Sequence, residues 1–280
     1  MTTGAADRGP KVALVTGASS GIGLATARLL AERGWTVHAS ARRVERMAAL
    51  AERGVDAFSM DVTDDASLRD GVTRVLDRSG RVDLLVNNAG YGSYGALEYV
   101  PLSEAREQFE VNVFGAARLT QLLLPHLRAA RAGRVILISS VGGVIYEPLG
   151  AWYHASKFAL EGLGDSLRVE LAPFGIDVVV VRPGPIRTEW NAIARRSLLE
   201  RCSGTAYESM AASAARVLER ADRPGAGSPP EVVARTVLEA AEAARPRTRY
   251  AAGRGAAAIV AARRLLPDRA FDAVVRRLYL

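Results

Sequence analysis

The sequence predicts an α/β protein: a doubly wound parallel sheet of about seven strands with helices on both faces, three layers deep. Three observations carry that prediction. Six short runs rich in β-branched residues are separated by longer stretches with helical spacing, and a parallel crossover needs roughly a dozen residues or more. The runs at 84–86, 135–138 and 178–181 are apolar without alternation, as in strands covered on both sides. The first run leads directly into a glycine-rich turn and then a helical pattern.

The strands are expected at 11–16 (KVALVT), 36–41 (TVHASA), 55–61 (VDAFSMD), 82–89 (VDLLVNNA), 134–139 (RVILIS) and 176–183 (IDVVVVRP). After the first, residues 16–23 read TGASSGIG and run on into Leu29, Leu30 and Ala31. Strand, glycine turn and helix in that order bring backbone N–H groups and a helix N-terminus against a pyrophosphate. Long helices are expected at 103–130 and 153–173. Residues 220–230 (RADRPGAGSPP) break any helix and are expected to separate two helices rather than two domains. The whole chain, 1–280, reads as one domain, with 190–228 covering a substrate and 254–280 forming a basic amphipathic extension. In that extension Phe271, Val274, Val275 and Leu278 make an apolar stripe beside Arg269, Arg276 and Arg277.

Composition narrows the function classes. With 49% hydrophobic and 24% charged residues in 280, the chain is neither disordered nor fibrous. Its single cysteine, Cys202, excludes an internal disulfide and a cysteine-cluster metal site. His38, His126 and His154 lie on separate elements without ligand spacing, so no metal is expected. The net charge of +7 is not spread evenly. Nine arginines against Asp268 and Asp272 in residues 245–280 supply all of it, leaving 28 cations against 28 anions before them. A basic tail on a neutral body is not a nucleic-acid groove, and no nucleic-acid partner is expected. Residues 1–10 are polar, and the apolar stretch at 256–262 is far shorter than the roughly 18 residues of a membrane span, so a cytoplasmic protein is the expectation.

The glycines at 17, 21 and 23 make a TGxxxGxG turn, and here the chain resembles the short-chain dehydrogenase/reductase family. NNAG at 87–90, Asp61 and Val62 after the third strand, Ser140 after the fifth, Tyr153 through Lys157 on a helix, and Pro183 and Gly184 after the sixth follow the family's order over about 11–190. The resemblance implies a Rossmann-type sheet and a nicotinamide cofactor. It assigns to cofactor binding Gly17, Ser19, Ser20, Gly21, Ile22 and Gly23 in the turn, and Asp61, Val62, Asn88, Ala89 and Gly90 at the adenosine side. Pro183, Gly184, Ile186 and Thr188 form the nicotinamide cradle.

The second strand bears on which cofactor. An acid at its end would accept from the ribose diol and repel a 2′-phosphate, whereas arginine pairs with that phosphate. Ala41 stands where NAD-preferring relatives carry Asp, and Arg42 and Arg43 follow at once, so NADP(H) is expected.

Tyr153 and Lys157 are four apart and share one helix face. With eight tyrosines and two lysines in the chain, chance supplies about 0.06 such pairs. Carbonyl reduction needs a proton donor as hydride arrives, and a free phenol titrates near about 10, so a lysine about 4 Å away is expected to lower it. Arginine, being bulkier and differently forked, could not simply replace that lysine. The Ser140 hydroxyl is placed to donate to the substrate oxygen, with Ser139 as its rival; Val141, Gly142 and Gly143 after Ser140 match the family's turn. By the resemblance, Lys157 also bonds the nicotinamide ribose, and Asn112 joins a water relay from Lys157 to solvent; its other reading is a polar residue bending its helix.

These residues predict an NADP(H)-dependent oxidoreductase interconverting a carbonyl and an alcohol, with Tyr153, Lys157, Ser140 and Asn112 as its catalytic set. Trp190, Ile193, Leu198, Leu199, Tyr207 and Met210 are available to line an apolar pocket, and the runs at 141–146 and 153–162 resemble family members acting on steroids and retinoids, which implies a steroid-, retinoid- or equally a polyketide-like substrate. Other readings are a non-catalytic dinucleotide sensor or scaffold, an NAD-preferring secondary-metabolite ketoreductase, and a lyase or epimerase using the same tyrosine. The resemblance implies a homodimer or homotetramer through the long helices, where Val113, Ala117, Leu160 and Leu167 could serve seam or core. For the C-terminal extension the order of expectation is a pocket cap, an oligomer seam, then contact with an anionic membrane surface.

Overall fold

In a computed structural model of the chain, residues 9–223 and 225–280 are described. The elements run β1 (Val12–Thr16), α1 (Gly21–Glu32), β2 (Thr36–Ala41), α2 (Ala48–Ala51), β3 (Asp56–Ser59), α3 (Asp65–Ser79), β4 (Leu84–Asn87), α4 (Leu102–Phe109), α5 (Gly115–Ala130) and β5 (Gly133–Ile138). They continue with α6 (Ala151–Leu171), β6 (Ile176–Pro183), α7 (Glu189–Cys202), α8 (Glu208–Asp222), α9 (Pro230–Glu242), β7 (Arg249–Ala252), α10 (Ala256–Leu265) and α11 (Asp268–Tyr279). Most of the polar segment expected at residues 1–10, and Pro224 of the expected helix break, lie outside the described residues.

Seven strands pair in parallel in the order β3-β2-β1-β4-β5-β6-β7. Successive side chains of a strand point to opposite faces, and both faces here are covered. Ala13, Val15, Val86, Ile136 and Val179 pack against Ala27, Leu30, Val233 and Val237 of α1 and α9. Leu14, Leu85, Val135, Leu137 and Val180 pack on the other face against Leu68, Leu119, Leu123 and Leu160 of α3, α5 and α6. That double burial is why the strands read as continuous apolar runs; each fully buried Leu or Val is worth about 1.5–3 kcal/mol.

The second and sixth strands coincide with their expected limits, but the third and fourth are shorter. Their flanking polar residues are engaged otherwise: the Asp83 carboxylate reaches across to the start of β1 and accepts from Val12 N at 2.8 Å, and Asp61 accepts from Thr63 N in a turn at 2.9 Å. The seventh strand, RYAA, was not located by periodicity because only Tyr250 and Ala252 of its four residues are buried.

Two further expectations are corrected, and one left open is partly resolved. The stretch 103–130 is not one α-helix: a π-helical turn at Glu110–Phe114 separates α4 from α5 and carries Asn112. Of the residues left open between seam and core, Leu160 lies in the sheet-facing core with Leu167 against it, Val113 is buried and Ala117 is half-buried. In α11 the inward residues are Phe271, Val275 and Tyr279, four apart, while Val274 and Leu278 of the expected stripe are 46% and 56% exposed.

Strand order reverses at β1, which has β2 on one side and β4 on the other, so a crevice opens beyond the C-terminal ends of β1 and β4. On the far side of the sheet, α6, β6 and β7 are joined by a buried ion pair. Arg182 donates to both Glu161 oxygens at 2.8 and 2.7 Å, and Arg249 adds a bond at 3.2 Å. Glu161 and Arg182 are each only 6% exposed. Removing one partner leaves an unpaired buried charge. Glu161→Gln is therefore expected to lower the unfolding free energy in urea by about 3 kcal/mol; a loss well under 1 kcal/mol would show the pair to be screened by solvent.

Candidate active site

The end of β1 is bonded to the end of β4. Thr16 Oγ1 accepts from the backbone N–H groups of Asn88 and Ala89, both at 3.0 Å. The Asn88 amide returns two bonds, to Thr16 O at 2.8 Å and Gly17 O at 3.3 Å. The glycines follow from this approach. Gly17 has φ +66°, and a Cβ there would lie 2.9 Å from Ala89 Cα; a Cβ on Gly23 would lie 2.4 Å from Gly17 O. Ser20 precedes α1 without capping it, and no acid sits in the first turn, which leaves that N-terminus open to an anion.

One cleft of about 840 Å³ runs from this turn across the rim of the sheet. Of the residues expected to hold a cofactor, it is lined by Gly17, Ser19, Ser20, Gly21, Ile22, Arg42, Arg43, Asp61, Val62, Asn88, Ala89 and Gly90, then by Tyr153, Lys157, Pro183, Gly184, Ile186 and Thr188. Gly23 and Asn112 do not line it. Gly23 is instead packed beneath the turn, and Asn112 is a brace: its Oδ1 accepts from Tyr91 N at 3.0 Å, and its Nδ2 donates to Tyr91 O and Ser156 Oγ, both at 3.0 Å.

At the β2 end, Arg42 and Arg43 make no ion pair with a carboxylate among the described residues, in a chain whose other arginines are widely paired. The neighbouring Arg46 reaches Glu189 at the start of α7, with Nη1 to Oε2 at 3.0 Å, so the β2 side and the α7 side are joined over the cleft. The glycine turn, the open helix end and the two unpaired guanidinium groups suit the phosphates of a dinucleotide.

Ser140, Tyr153 and Lys157 all line the cleft. Ser140 Oγ accepts from Gly142 N at 2.9 Å and also lies beside the Tyr153 phenol. Ser139, its rival, lines the same cleft but makes no hydrogen bond through its hydroxyl. Burial pushes the Tyr153 phenol up to about 12; the Ser140 hydroxyl works against that rise and the Glu147 carboxylate adds to it. Burial likewise brings the Lys157 ammonium down to about 8, with Glu161 opposing. The expectation that Lys157 lowers the phenol is not met. Lys157 Nζ donates to Ile138 O at 3.0 Å and does not figure among the groups that shift Tyr153.

Beyond Tyr153 the walls become apolar and aromatic: Tyr94, Trp190 and Ile193 face the cleft, Val217 and Leu218 come from α8, and Ile259 and Tyr279 from α10 and α11. Of the six residues expected to line a pocket, Trp190 and Ile193 do so. Leu198 is buried behind the wall, Leu199 is 42% exposed, and Tyr207 and Met210 pack on the α7–α8 cluster.

Residues 11–198 match the short chain dehydrogenase family. The chain belongs to that family. Among short-chain dehydrogenases similar to it, the 3-ketodihydrosphingosine reductase of Bacteroides thetaiotaomicron is 41% identical over 179 residues, 64% of this chain and 65% of that protein. The NADPH-dependent 3-dehydrocapnine reductase of Ornithobacterium rhinotracheale is 36% identical over 274 residues, 94% of this chain and 95% of that protein. A short-chain dehydrogenase crystal structure from Streptomyces avermitilis superposes with a TM-score of 0.78 at 35% identity, covering 99% of this chain and 96% of that one. The family is one of oxidoreductases acting on alcohol and carbonyl groups.

Sequence reasoning passed over several residues of this short-chain dehydrogenase that the fold brings to the cleft: Tyr94, Glu147 and Tyr279 at its apolar end, and Arg201 with Glu104 at its rim. Only Tyr279 carried a usable signal, the helical spacing from Phe271 through Val275.

Holding Lys157 at about 8 has a consequence for stability. The folded chain releases this proton before the unfolded chain does, so between about pH 8 and the ordinary lysine value of 10.5 the unfolded state binds more protons and stability rises with pH. Below that window the charged ammonium costs the fold its full penalty. Lys157→Met is expected to be more stable than the parent at pH 7 by on the order of 1–3 kcal/mol, the advantage shrinking by pH 10 in urea titrations. A variant less stable at pH 7 would refute it.

Proposed function

We propose that this chain is an NADP(H)-dependent reductase of lipophilic ketones. The observation that supports it best is the position of Tyr153. Its buried phenol lies beside Ser140 where the polar half of the cleft, with the glycine turn and Arg42, meets the aromatic half. The relatives named as reductases of 3-ketodihydrosphingosine and 3-dehydrocapnine favour the same reading.

The Gly17–Gly23 turn and the α1 N-terminus would hold the pyrophosphate, Arg42 and Arg43 the 2′-phosphate, and Asp61, Val62 and Ala89 the adenosine. Pro183, Gly184, Ile186 and Thr188 would cradle the nicotinamide. Bound there, NADPH supplies the hydride.

The remaining steps belong to the chain. Ser140 donates a hydrogen bond to the carbonyl oxygen and fixes its position. Tyr153 then protonates that oxygen as it gains negative charge. A phenol pushed up to about 12 stays protonated through neutral pH, which suits an acid in the reducing direction. Lys157, held by Ile138 O, provides a cation at the floor of the site, and Asn112 acts as a positioning residue through Ser156, whose hydroxyl donates to Tyr153 O at 2.7 Å. The α11 helix, with Tyr279 in the cleft wall, closes the substrate end against water.

NADPH oxidation is expected with long-chain ketones, and consumption with none of a panel of ketones and aldehydes would favour a dinucleotide sensor. For cofactor choice, Arg42→Ala is expected to lower kcat/KM for NADPH about 10- to 100-fold while leaving NADH within a few-fold. Equal losses with both cofactors would rule out a 2′-phosphate role.

A further inference from the structure

Glu147 places a carboxylate where neither the fold nor the proton transfer above calls for one. It lies between β5 and α6 and lines the apolar end of the cleft with Tyr94, Tyr153, Trp190 and Tyr279. Its backbone N–H donates to His154 Nε2 at 3.1 Å, while His154 Nδ1 faces Gly142 O at 2.9 Å. The nitrogen facing a carbonyl must carry hydrogen, and the one accepting an N–H must not. His154 is therefore neutral, and its 4.0 Å approach to the Glu147 carboxylate is not an ion pair.

No lysine or arginine among the described residues pairs with Glu147. The groups whose titration it affects are phenols, those of Tyr94 and Tyr279, which burial and its charge together push up. Each phenol supplies one hydrogen, while an ionised carboxylate has about four acceptor sites. Around it the rings of Tyr94, Tyr153 and Trp190 stand 5.1 to 5.8 Å apart by their centroids. A carboxylate without a counter-cation, set among aromatic rings in a cleft wall, is the chemistry that recognises an organic ammonium.

We propose that Glu147 makes this site selective for ketones that carry an ammonium group next to the reacting carbonyl, seated between the Glu147 carboxylate and the rings of Tyr94, Trp190 and Tyr279. This deepens the reductase reading above and rests on it. Proximity to Tyr153 sets the position of the ammonium, because the same cleft wall must present the carbonyl oxygen to the phenol. A neutral ketone of the same length covers the carboxylate with methylenes and leaves it desolvated, and an anionic one is repelled.

The test compares two dodecanones with NADPH at mildly acidic pH: one bearing an amino group on the carbon beside the carbonyl, and the same ketone without it. The parent enzyme is expected to favour the ammonium ketone in kcat/KM by at least about tenfold, and Glu147→Gln, which keeps the side chain's size and polarity and removes its charge, to shrink that ratio by about 10- to 100-fold. If the parent reduces both ketones equally, or the neutral one better, the reductase reading stands and the ammonium site is overturned. A ratio preserved in Glu147→Gln overturns it as well, leaving Glu147 as a brace for α11. Reduction of neither removes the reductase reading itself. Should Glu147→Gln fail to fold, inhibition of the parent by the matching amino alcohol and plain alcohol decides, with tighter binding of the amino alcohol expected and equal binding overturning the proposal.

Discussion

The cross-bonding of Thr16 and Asn88 fixes where every other group in the cleft can stand. Two strand ends are drawn together at the point where strand order reverses, by four bonds among one hydroxyl, one amide and the backbone. Each is worth about 0.5–1.5 kcal/mol, but their geometric effect is larger. They press the turn after β1 against Ala89 so closely that Gly17 and Gly23 have no room for a Cβ. The same approach aims the α1 N-terminus along the rim, and a Cβ on Gly21 would lie 3.1 Å from Thr188 Cγ2 across the crevice. Both walls of the dinucleotide end are thus set by one junction.

From that junction the cleft changes character along its length, and burial accounts for the change. At the β2 end two arginines stand exposed and unpaired; in the middle Tyr153 and Lys157 are buried. Withdrawing a phenol and an ammonium from water holds both toward their neutral forms, the phenol up and the amine down. The fold tolerates this because the apolar face of the sheet that α6 covers and the Glu161–Arg182 pair hold α6, which carries both residues, firmly against β6. Past Tyr153 the walls are aromatic and close under α7, α8 and α11, so polar recognition there rests on few groups, among them Glu147, which pairs with no lysine or arginine of the described residues.

Periodicity and punctuation made the sheet legible: β-branched and apolar runs located β1 to β6 within a few residues, and the glycine turn placed the dinucleotide end. The Tyr153–Lys157 pair was legible because helical spacing determines that they share a face and the chain has only two lysines. What was not legible depends on contacts between distant segments. Asn112 could be picked out, but not its role as a brace, since Tyr91 and Ser156 come to it from other elements. Lys157 could be placed on the right face, but the Ile138 carbonyl that holds it belongs to β5. Glu147 reads as an ordinary loop acid until α11 folds back to bring Tyr279 against it. Half of the stripe expected on α11 holds: Phe271 and Val275 face inward, but Val274 and Leu278 are exposed and the third inward residue is Tyr279, four beyond Val275.

The account's central claim is that the Tyr153 hydroxyl delivers the proton in a hydride-transfer reaction carried out in this cleft. Tyr153→Phe removes that hydroxyl alone and leaves the ring among Tyr94 and Trp190. The direct measurement is the single-turnover rate of NADPH oxidation with a ketone, beside the NADPH dissociation constant, for parent and variant. The account predicts a rate lowered by about 10²–10⁴-fold with cofactor binding changed by less than a few-fold. A variant that turns over at the parental rate would contradict it.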